Sequence, residues 1–322
     1  MGKQIGILSA TVTVLASAAF VLAWSSGFVV AAIATVDVAP TTLLAWRFLP
    51  LAVVLILVTV MSGAARGITR EQVGTQALIG LFAQFGYCAC VYAAIAVGIT
   101  TGTTALIDAV QPLVVATLVG PLLGLRVRRA QWVGLGVGAI GVALVVQSQI
   151  GGSDASPFAY LLPALAMVCL IVGTFFDRFV ERRAKDQPRV LVALTIHVSV
   201  TAVGMTLLAA VTGTLAPPAS VSFWTAAIFA AVAPTLAAYG LYWWLLRRIG
   251  VTALNALLFL IAPTTAIAGA LLLGEPLTAV TVAGFALCAS GVAVVLASDD
   301  RSTQKRPVRT ASDGTRSVPG TS

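Results

Sequence analysis

Residues 98–124 read GITTGTTALIDAVQPLVVATLVGPLLG, and residues 250–274 read GVTALNALLFLIAPTTAIAGALLLG. Each stretch opens at a glycine, continues as an apolar helix that contains a proline, and closes at a glycine. Pro112 in the first stretch aligns with Pro263 in the second. A match at a separation of about 150 residues is too distant for a solenoid unit, so it predicts that a whole helical bundle has been duplicated.

The match continues into the next apolar segment. The sequence QWVGLGVGAIGVALVV from residue 131 aligns with TVAGFALCASGVAVVLA from residue 281. Gly134 then falls on Gly284, and Gly141 falls on Gly291. The duplication therefore covers this helix as well.

The composition places the chain in a membrane. Hydrophobic residues make up 59% and charged residues 9% of the 322 residues, and the mean hydropathy is +1.02. Soluble domains carry roughly 25% charged residues. Because lipid allows only helices or closed barrels to span it, and the segments lack barrel alternation, we predict an all-α integral membrane protein. The uncharged segment 5–34 is too long for the apolar core of a signal peptide and is interpreted as a retained spanning helix.

Ten spanning helices account for the apolar segments and for the turns between them. The expected spans are 7–32, 41–61, 73–96, 102–123, 131–149, 158–176, 190–211, 222–246, 252–273 and 278–297. Five fall in each copy of the duplication, so we assign residues 1–150 to the first repeat and residues 151–298 to the second. Residues 299–322 are polar and basic, and they are predicted to form a disordered cytoplasmic tail.

The charges at the helix ends orient the helices. With the N-terminus in the cytoplasm, 18 of the 19 basic residues lie on the inner side, and Arg47 is the exception. The outer loops carry only acidic charges, at Asp37, Asp154 and Glu275. This positive-inside pattern predicts that both termini are cytoplasmic. It also explains the net charge of +8 without a nucleic-acid partner.

An odd number of helices per copy inverts the second copy in the bilayer. The loops agree, because basic residues from Arg126 to Arg129 follow the first stretch, whereas Glu275 follows the second. Inverted repeats are typical of transporters, in which the substrate site lies near the membrane midplane between the repeats. The alternative is that the duplication only builds a stable bundle.

The two halves resemble the EamA-type repeat of the drug/metabolite transporter superfamily. The residues that carry the resemblance are Trp24-Ser25-Ser26, Trp46-Arg47-Phe48, residues 98–124, and Leu273-Gly274-Glu275-Pro276-Leu277 followed by Gly284 and Gly291. The resemblance covers nearly all of residues 5–298. It implies ten helices in an inverted pair, a central cavity, and export or exchange of small metabolites. The chain departs from the family at Leu125, where a Glu often stands, and at Asp108, which is unusual for the family.

Arg47 and Asp108 are the charged residues inside the predicted spans, and such residues are candidates for function. Each lies six residues from the outer end of its helix, about 9 Å deep. This equal depth permits an ion pair between them. In one interpretation Arg47 pairs with Asp108 or extends to the interface. In the other, Asp108 faces the cavity and takes up a proton or a cationic substrate group. Burial favours a neutral carboxyl, whereas a nearby Arg favours a charged one.

Aromatic and polar residues on the central helices are further candidates for the cavity. The resemblance places five of them on helices that line the cavity in the family: Trp24, Gln84, Tyr87, Tyr239 and Trp243. Aromatic rings with polar tips suit partly apolar metabolites. Such residues near helix ends are also interfacial anchors, as we expect of Tyr92 and Trp224. Asn255 is interpreted either as a cap or helix contact or as a cavity residue.

Three further residue types have an expected role. His197, the only histidine, is expected to hydrogen-bond a neighbouring helix rather than to relay protons. Pro112 and Pro263 are predicted to kink the fourth and ninth helices, and kinked helices at matching positions indicate a transporter site. The four cysteines lie in apolar segments, so we expect neither a metal site nor a disulfide.

The sequence therefore predicts a secondary transporter, and an exporter in particular. It would move small organic metabolites or drugs across a bacterial plasma membrane by alternating access. The chain has no Gly-rich phosphate loop, so proton coupling is the default and no cofactor is expected. The predicted partners are a small-molecule substrate and the bilayer, with a homodimer left open.

Two alternatives belong to other classes. One is a non-transporting receptor or assembly subunit, which a cavity that is too small or closed on both sides would favour. The other is an intramembrane enzyme acting on lipid-linked substrates. Such an enzyme would need a cluster of His, Cys and carboxylate side chains, and one buried Asp and one His near opposite faces do not form one.

Overall fold

The computed structural model describes residues 2–99, 101–109, 111–112, 114–115, 118, 127–147, 156–181, 188–273 and 278–303. All regular structure in these ranges is helical. Six helical stretches are apolar and long enough to cross a membrane, and two shorter apolar helices accompany them. The predicted all-α membrane class is therefore confirmed for the described residues. The count of ten spans and the cytoplasmic location of both termini stay predictions.

The helices with described bounds in the first half are α1 (Gly2–Ala34), α2 (Pro40–Met61), α3 (Arg70–Gly80), α4 (Tyr87–Ala96), α5 (Thr101–Asp108) and α6 (Arg129–Gln147). Those in the second half are α7 (Leu161–Glu181), α8 (Val190–Val211), α9 (Val221–Ala231), α10 (Ala238–Leu258), α11 (Ile261–Leu273) and α12 (Ala279–Thr303). A π-helical turn, Leu81–Gly86, joins α3 to α4, and another, Val232–Ala237, joins α9 to α10.

The predicted spans overlap these helices but differ from them in extent. The spans 102–123 and 252–273 are both interrupted, at Ala109 and at Phe259–Leu260. α7 continues to Glu181, because the charged residues after Phe176 do not end the helix. α12 continues to Thr303, so the first residues of the predicted disordered tail are helical. Residues 304–322 lie outside the described residues.

α2 and α8 have the same length and the same ending. Both have 22 residues, and each stops in a turn whose glycine has a positive φ, 62° at Gly63 and 71° at Gly213. The next amides close the turns, with Ala64 donating to Thr59 O at 3.1 Å and Thr214 donating to Ala209 O at 2.8 Å. A left-handed residue at this point favours glycine, so the two helices end in the same way.

α2 and α8 pack against each other in opposite directions. Thr59, near the end of α2, and Thr195, near the start of α8, share a hydrogen bond of 2.7 Å between their hydroxyls. Thr42, near the start of α2, donates to the carbonyl of Thr214, just beyond α8. The same lengths also recur in the next pair, because α3 and α9 each have 11 residues and each runs into a π turn of 6 residues.

α6 and α12 approach each other at glycines. A Cβ on Gly134 would stand 2.7 Å from the carbonyl oxygen of Gly291, and a Cβ on Gly141 would stand 2.6 Å from that of Gly284. Only hydrogen fits at these separations, which is why small residues occupy such helix contacts. In the sequence alignment Gly134 matches Gly284 and Gly141 matches Gly291, but in the structure each contacts the other's match. This crosswise exchange is what a two-fold axis between two equivalent surfaces produces.

α1 lies between the two halves and positions the site. It packs against α10 and α11, and also against α4 and the π turn Val232–Ala237. Phe20, Trp24 and Phe28 on this helix are buried. Trp24 is therefore surrounded by side chains from both halves of the chain.

Candidate functional site

Trp24 stands at the centre of an aromatic cluster formed by α1, α4 and α10. Its ring centroid lies 5.5 Å from that of Tyr87, 5.0 Å from that of Tyr239 and 5.4 Å from that of Tyr242. All four side chains are buried. Tilted rings at these separations attract each other, so the cluster ties the three helices together around one point.

Asp108 is joined to this cluster by a chain of hydrogen bonds. Trp24 Nε1 donates to the hydroxyl of Tyr87 at 3.0 Å, and that hydroxyl donates to Asp108 Oδ2 at 2.8 Å. Asp108 is the last residue of α5 and is buried. Its other oxygen, Oδ1, is buried without a hydrogen-bond partner among the described residues. The carboxyl group therefore keeps one open acceptor position.

Arg47 lies on the other side of the cluster with only neutral partners. Its Nε donates to Thr235 Oγ1 at 2.6 Å, and its Nη1 donates to the Tyr92 hydroxyl at 2.7 Å. The guanidinium carbon stands 4.8 Å from the ring centroid of Phe48 and 5.4 Å from that of Tyr92. Such contacts with ring faces stabilise a cation. The side chain joins α2, α4 and the π turn before α10.

The structure places Arg47 and Asp108 near the same cluster but does not join them in an ion pair. Asp108 accepts from Tyr87, and Arg47 donates to Thr235 and Tyr92. Nor does Arg47 extend to an interface, because only 2% of its surface is exposed. Both forms of the structural interpretation of Arg47 are therefore wrong, and equal depth alone did not predict its partners.

A cavity lies between Arg47 and the aromatic cluster. It measures about 20 Å³, counted as the volume open to the centre of a water molecule, and this holds about one water. Four predicted residues line it: Trp24, Arg47, Tyr87 and Tyr239. A space of this size is too small for an organic solute unless the lining side chains move.

Six cavity residues were not predicted to lie there: Gly27, Phe28, Cys88, Val91, Tyr92 and Pro234. Tyr92, expected as an interfacial anchor, is 2% exposed and lines the cavity through its bond to Arg47. Pro234 and Cys88 also line it, and the Cys88 thiol shares a contact of 3.5 Å with the Tyr239 hydroxyl. The i, i+4 spacing of Cys88 and Tyr92 was the available signal, since it places both on one face of α4.

Gln84, Trp243 and Asn255 do not line the cavity. Gln84 lies in the π turn before α4, and its amide is buried without a partner in the described structure. The ring of Trp243 packs on that of His197, with centroids 5.0 Å apart. Asn255 donates from Nδ2 to Val251 O in its own helix at 2.8 Å, and not to a neighbouring helix as one interpretation expected.

His197 makes the predicted helix contact. Its Nε2 lies 2.8 Å from Gln76 Oε1, which links α8 to α3. The fit is tight, because a Cβ on Gly80 would stand 2.7 Å from the His197 Cα. Trp224, the other expected anchor, is half-buried, and its ring packs on those of Trp46 and Phe223.

The sequence missed two buried polar residues. Asp177 is 3% exposed, and it was left outside the sixth predicted span, which ended at residue 176, five residues before the end of α7. The flanking Phe176 and Phe179 were the signal that the helix continues. Gln111 is fully buried, and its amide has no hydrogen-bond partner among the described residues. Buried amides normally bond to protein or water.

Both repeats interrupt a helix near their aligned proline. In the first, α5 has 8 residues and ends at Asp108, and helical geometry returns at Gln111 and Pro112. In the second, Gly250 breaks α10 with φ 81° and ψ 171°, and α10 then ends at Leu258. After the turn Phe259–Leu260, α11 begins two residues before Pro263. Discontinuous helices at matching positions are the usual pointer to a transporter site.

The described residues hold no group of three His, Cys, Asp or Glu side chains suited to a metal ion. All four cysteines are described, and each is a free thiol in this structure. The fold and site thus define a multi-pass helical membrane protein with a small cavity, lined by a charged residue, between its two halves.

Residues 11–147 match the EamA-like transporter family. This family is part of the drug/metabolite transporter superfamily, and the match agrees with the resemblance seen in the sequence. A solved structure titled "Crystal structure of protein" superposes with a TM-score of 0.72 over 90% of this chain and 98% of its own, at 21% identity. The two proteins share a fold. No match was found among proteins with curated functions.

Proposed function

We propose that the chain is a secondary transporter, which carries a small organic solute through the cavity at Trp24 by alternating access. The observation that carries this proposal is Arg47, a buried charge that lines the cavity and has only neutral hydrogen-bond partners. Charged residues inside a membrane mark substrate and ion pathways. The match of residues 11–147 to a transporter family supports the same function.

In this proposal the moving units are two inverted five-helix repeats, residues 1–150 and 151–298. The equal lengths and endings of α2 and α8 support the division, as do the equal lengths of α3 and α9. The crosswise contacts between the glycines of α6 and α12 support a two-fold relation between the units. Rocking of such repeats about a fixed site is the common form of alternating access.

Asp108 is the proposed coupling group. Its carboxyl is one hydrogen bond away from the cavity residue Tyr87, and it has an open acceptor position at Oδ1. A proton bound there in one conformation and released in the other would exchange for the solute. Such exchange makes the chain an exporter driven by the proton gradient.

The charge distribution supports a bacterial plasma membrane with both termini in the cytoplasm. The exposed ends of the helices carry the basic residues Arg66, Arg70, Arg128, Arg129 and Arg189. A homodimer is compatible with the exposed apolar faces of the helices, which lipid covers equally well.

The small size of the cavity is the observation that favours a non-transporting receptor or assembly subunit. The interrupted helices favour transport instead, because Gly250 and Phe259–Leu260 provide points at which a helix can bend. In this proposal the structure is an occluded state that opens on either side.

Untargeted profiling of culture media tests the proposal. Cells that produce the unmodified chain are compared with cells that produce Asp108→Asn at equal membrane levels. We expect at least one metabolite to be enriched outside the cells only with the unmodified chain. Asp177→Asn, which changes a buried carboxyl outside the cavity, is the matched control and is expected to export normally. Absence of any enriched metabolite would contradict constitutive export, and full export by Asp108→Asn would exclude Asp108 as the coupling group.

A further inference from the structure

We propose that the transported solute carries a carboxylate and that Arg47 binds it. This inference rests on the proposed transport function and names the chemical class of the solute. It starts from the charge of Arg47, which the described protein leaves without a counterion.

Arg47 donates hydrogen bonds to two neutral hydroxyl oxygens, and each hydroxyl is oriented by a hydrogen bond of its own. The guanidinium has five N–H donors, of which one on Nε goes to Thr235 and one on Nη1 goes to Tyr92. The Thr235 hydroxyl directs its own proton to Ala230 O at 2.8 Å, and the Tyr92 hydroxyl directs its proton to Gly27 O at 3.4 Å. Both oxygens are thus oriented to accept from Arg47, and they fix the position of the cation without neutralising it.

No described carboxylate compensates the charge. Asp108, the acid next to the aromatic cluster, accepts from Tyr87 and makes no ion pair with Arg47. A buried cation without an anion is costly, and proteins normally pair such charges. Because Arg47 lines the cavity, a solute that enters the cavity can supply the missing negative charge.

The geometry favours a carboxylate over a phosphate. The rings of Phe48 and Tyr92 lie against the guanidinium, so they restrict the orientation of its plane. One N–H on Nη1 and both on Nη2 have no described partner, and two such donors can bind the two oxygens of one carboxylate. A phosphate dianion would bring two charges to a single cation in an aromatic cavity, where the second charge is costly to bury. Trp24, Tyr87 and Tyr239 are left to contact the apolar part of the solute.

Uptake by inside-out membrane vesicles tests this inference. Vesicles with the chain are incubated with a complete water-soluble metabolite extract, and the compounds that accumulate are identified by mass spectrometry. We expect the accumulated compounds to carry a carboxylate at pH 7. Compounds that carry only a phosphate, or that are neutral or cationic, would overturn the inference while leaving transport intact. If no compound accumulates, both the transport function and this inference fail.

The role of Arg47 is tested with the strongest of these compounds and its primary amide as competitors. In the unmodified chain the acid should compete about 10- to 100-fold better than the amide, as expected for a hydrogen-bonded charge pair. Arg47→Gln should reduce this preference to about threefold or less, because neither competitor then meets a cation. Equal competition by acid and amide in the unmodified chain would overturn the inference.

Two further variants keep the test decisive if Arg47→Gln does not fold. Arg47→Lys retains the cation and should retain the preference for the acid, with a raised KM because the planar donor edge is lost. Tyr92→Phe removes a neutral partner of Arg47 and leaves its charge, so it should also retain the preference. Loss of the preference in Tyr92→Phe at a normal membrane level would contradict recognition by the Arg47 charge.

Discussion

At the scale of single residues, the site depends on hydroxyl groups that connect charged side chains to the aromatic cluster. Tyr87 and Tyr92 are both on α4, and each contacts a different charge: Tyr87 donates to Asp108 and Tyr92 accepts from Arg47. α4 therefore contacts both charges through two different tyrosines, and the charges themselves stay apart. A direct ion pair would have neutralised both, and neither would then be available to a solute or a proton.

Tyr87→Phe should reduce transport without unfolding the protein. The change keeps the ring beside Trp24 but removes the donor to Asp108 and the acceptor for Trp24 Nε1. Leaving buried polar atoms unsatisfied costs about 1–3 kcal/mol, so we expect a transport rate at least about tenfold lower. Uptake by vesicles, with membrane levels checked by immunoblot, measures the effect.

Tyr242→Phe is the matched control for this prediction. Tyr242 is also buried in the cluster, but its hydroxyl bonds to Thr174 at 2.6 Å and not to Asp108. We expect a similar loss of thermal stability and a much smaller loss of transport. Equal transport losses in the two variants would mean that the bond from Tyr87 to Asp108 has no special role in transport.

His197 and Gln76 should act as a coupled structural pair. Replacing either by Ala leaves its partner buried and unbonded, whereas replacing both removes the unsatisfied group. Residues in direct contact show coupling energies of about 0.5–3 kcal/mol. Thermal unfolding in detergent of Gln76→Ala, His197→Ala and the double variant measures this coupling. Strictly additive losses would indicate that the hydrogen bond contributes nothing to stability.

At the scale of the helices, the close contact of α6 with α12 depends on glycine. Gly134→Leu should lower the melting temperature strongly, because a Cβ there would meet the backbone of α12 at 2.7 Å. Overpacking of a well-packed contact typically costs about 1–3 kcal/mol. Gly136→Ala is the control on the same helix, since nothing lies within 4 Å of a Cβ at Gly136. If both variants melt together with the unmodified chain, α6 and α12 do not pack as described.

The interrupted helices are the second feature at this scale. They place polar and charged residues of the site where regular helices end. Asp108 is the last residue of α5, and the π turn Val232–Ala237 presents Pro234 and Thr235 to the site. π turns leave the regular hydrogen-bond ladder and so re-aim side chains. The bond from Arg47 to Thr235 depends on this local departure from α-helical geometry.

At the scale of the whole molecule, the predicted orientation can be tested by labelling single cysteines. In a background with all four native cysteines replaced by Ser, Asp37→Cys and Ala219→Cys lie in exposed positions of predicted outer loops. Ala65→Cys lies in a predicted inner loop. A membrane-impermeant thiol reagent applied to intact cells should label the first two and not the third. The reverse pattern would place the termini outside.

The sequence alone predicted the membrane class, most helix positions and the family. These depend on the length of apolar segments and on local motifs, which are readable along the chain. The predicted span 190–211 agrees with α8, Val190–Val211. The interruption at Phe259–Leu260 was missed because its residues are as apolar as their neighbours. Hydropathy does not register a break whose backbone groups are satisfied inside the bundle.

For the site, the sequence indicated which residues matter but not which residues they contact. Arg47, Asp108, Trp24, Tyr87 and Tyr239 stood out because charges and polar aromatics are costly or specific in lipid. Only the tertiary structure decided that Arg47 bonds to Thr235, 188 positions away in sequence, and not to Asp108. Such contacts depend on how each helix is rotated and how helices cross. The residue types in a single sequence indicate which side chains need a hydrogen-bond or charge partner. The packing of the helices determines which residues become those partners.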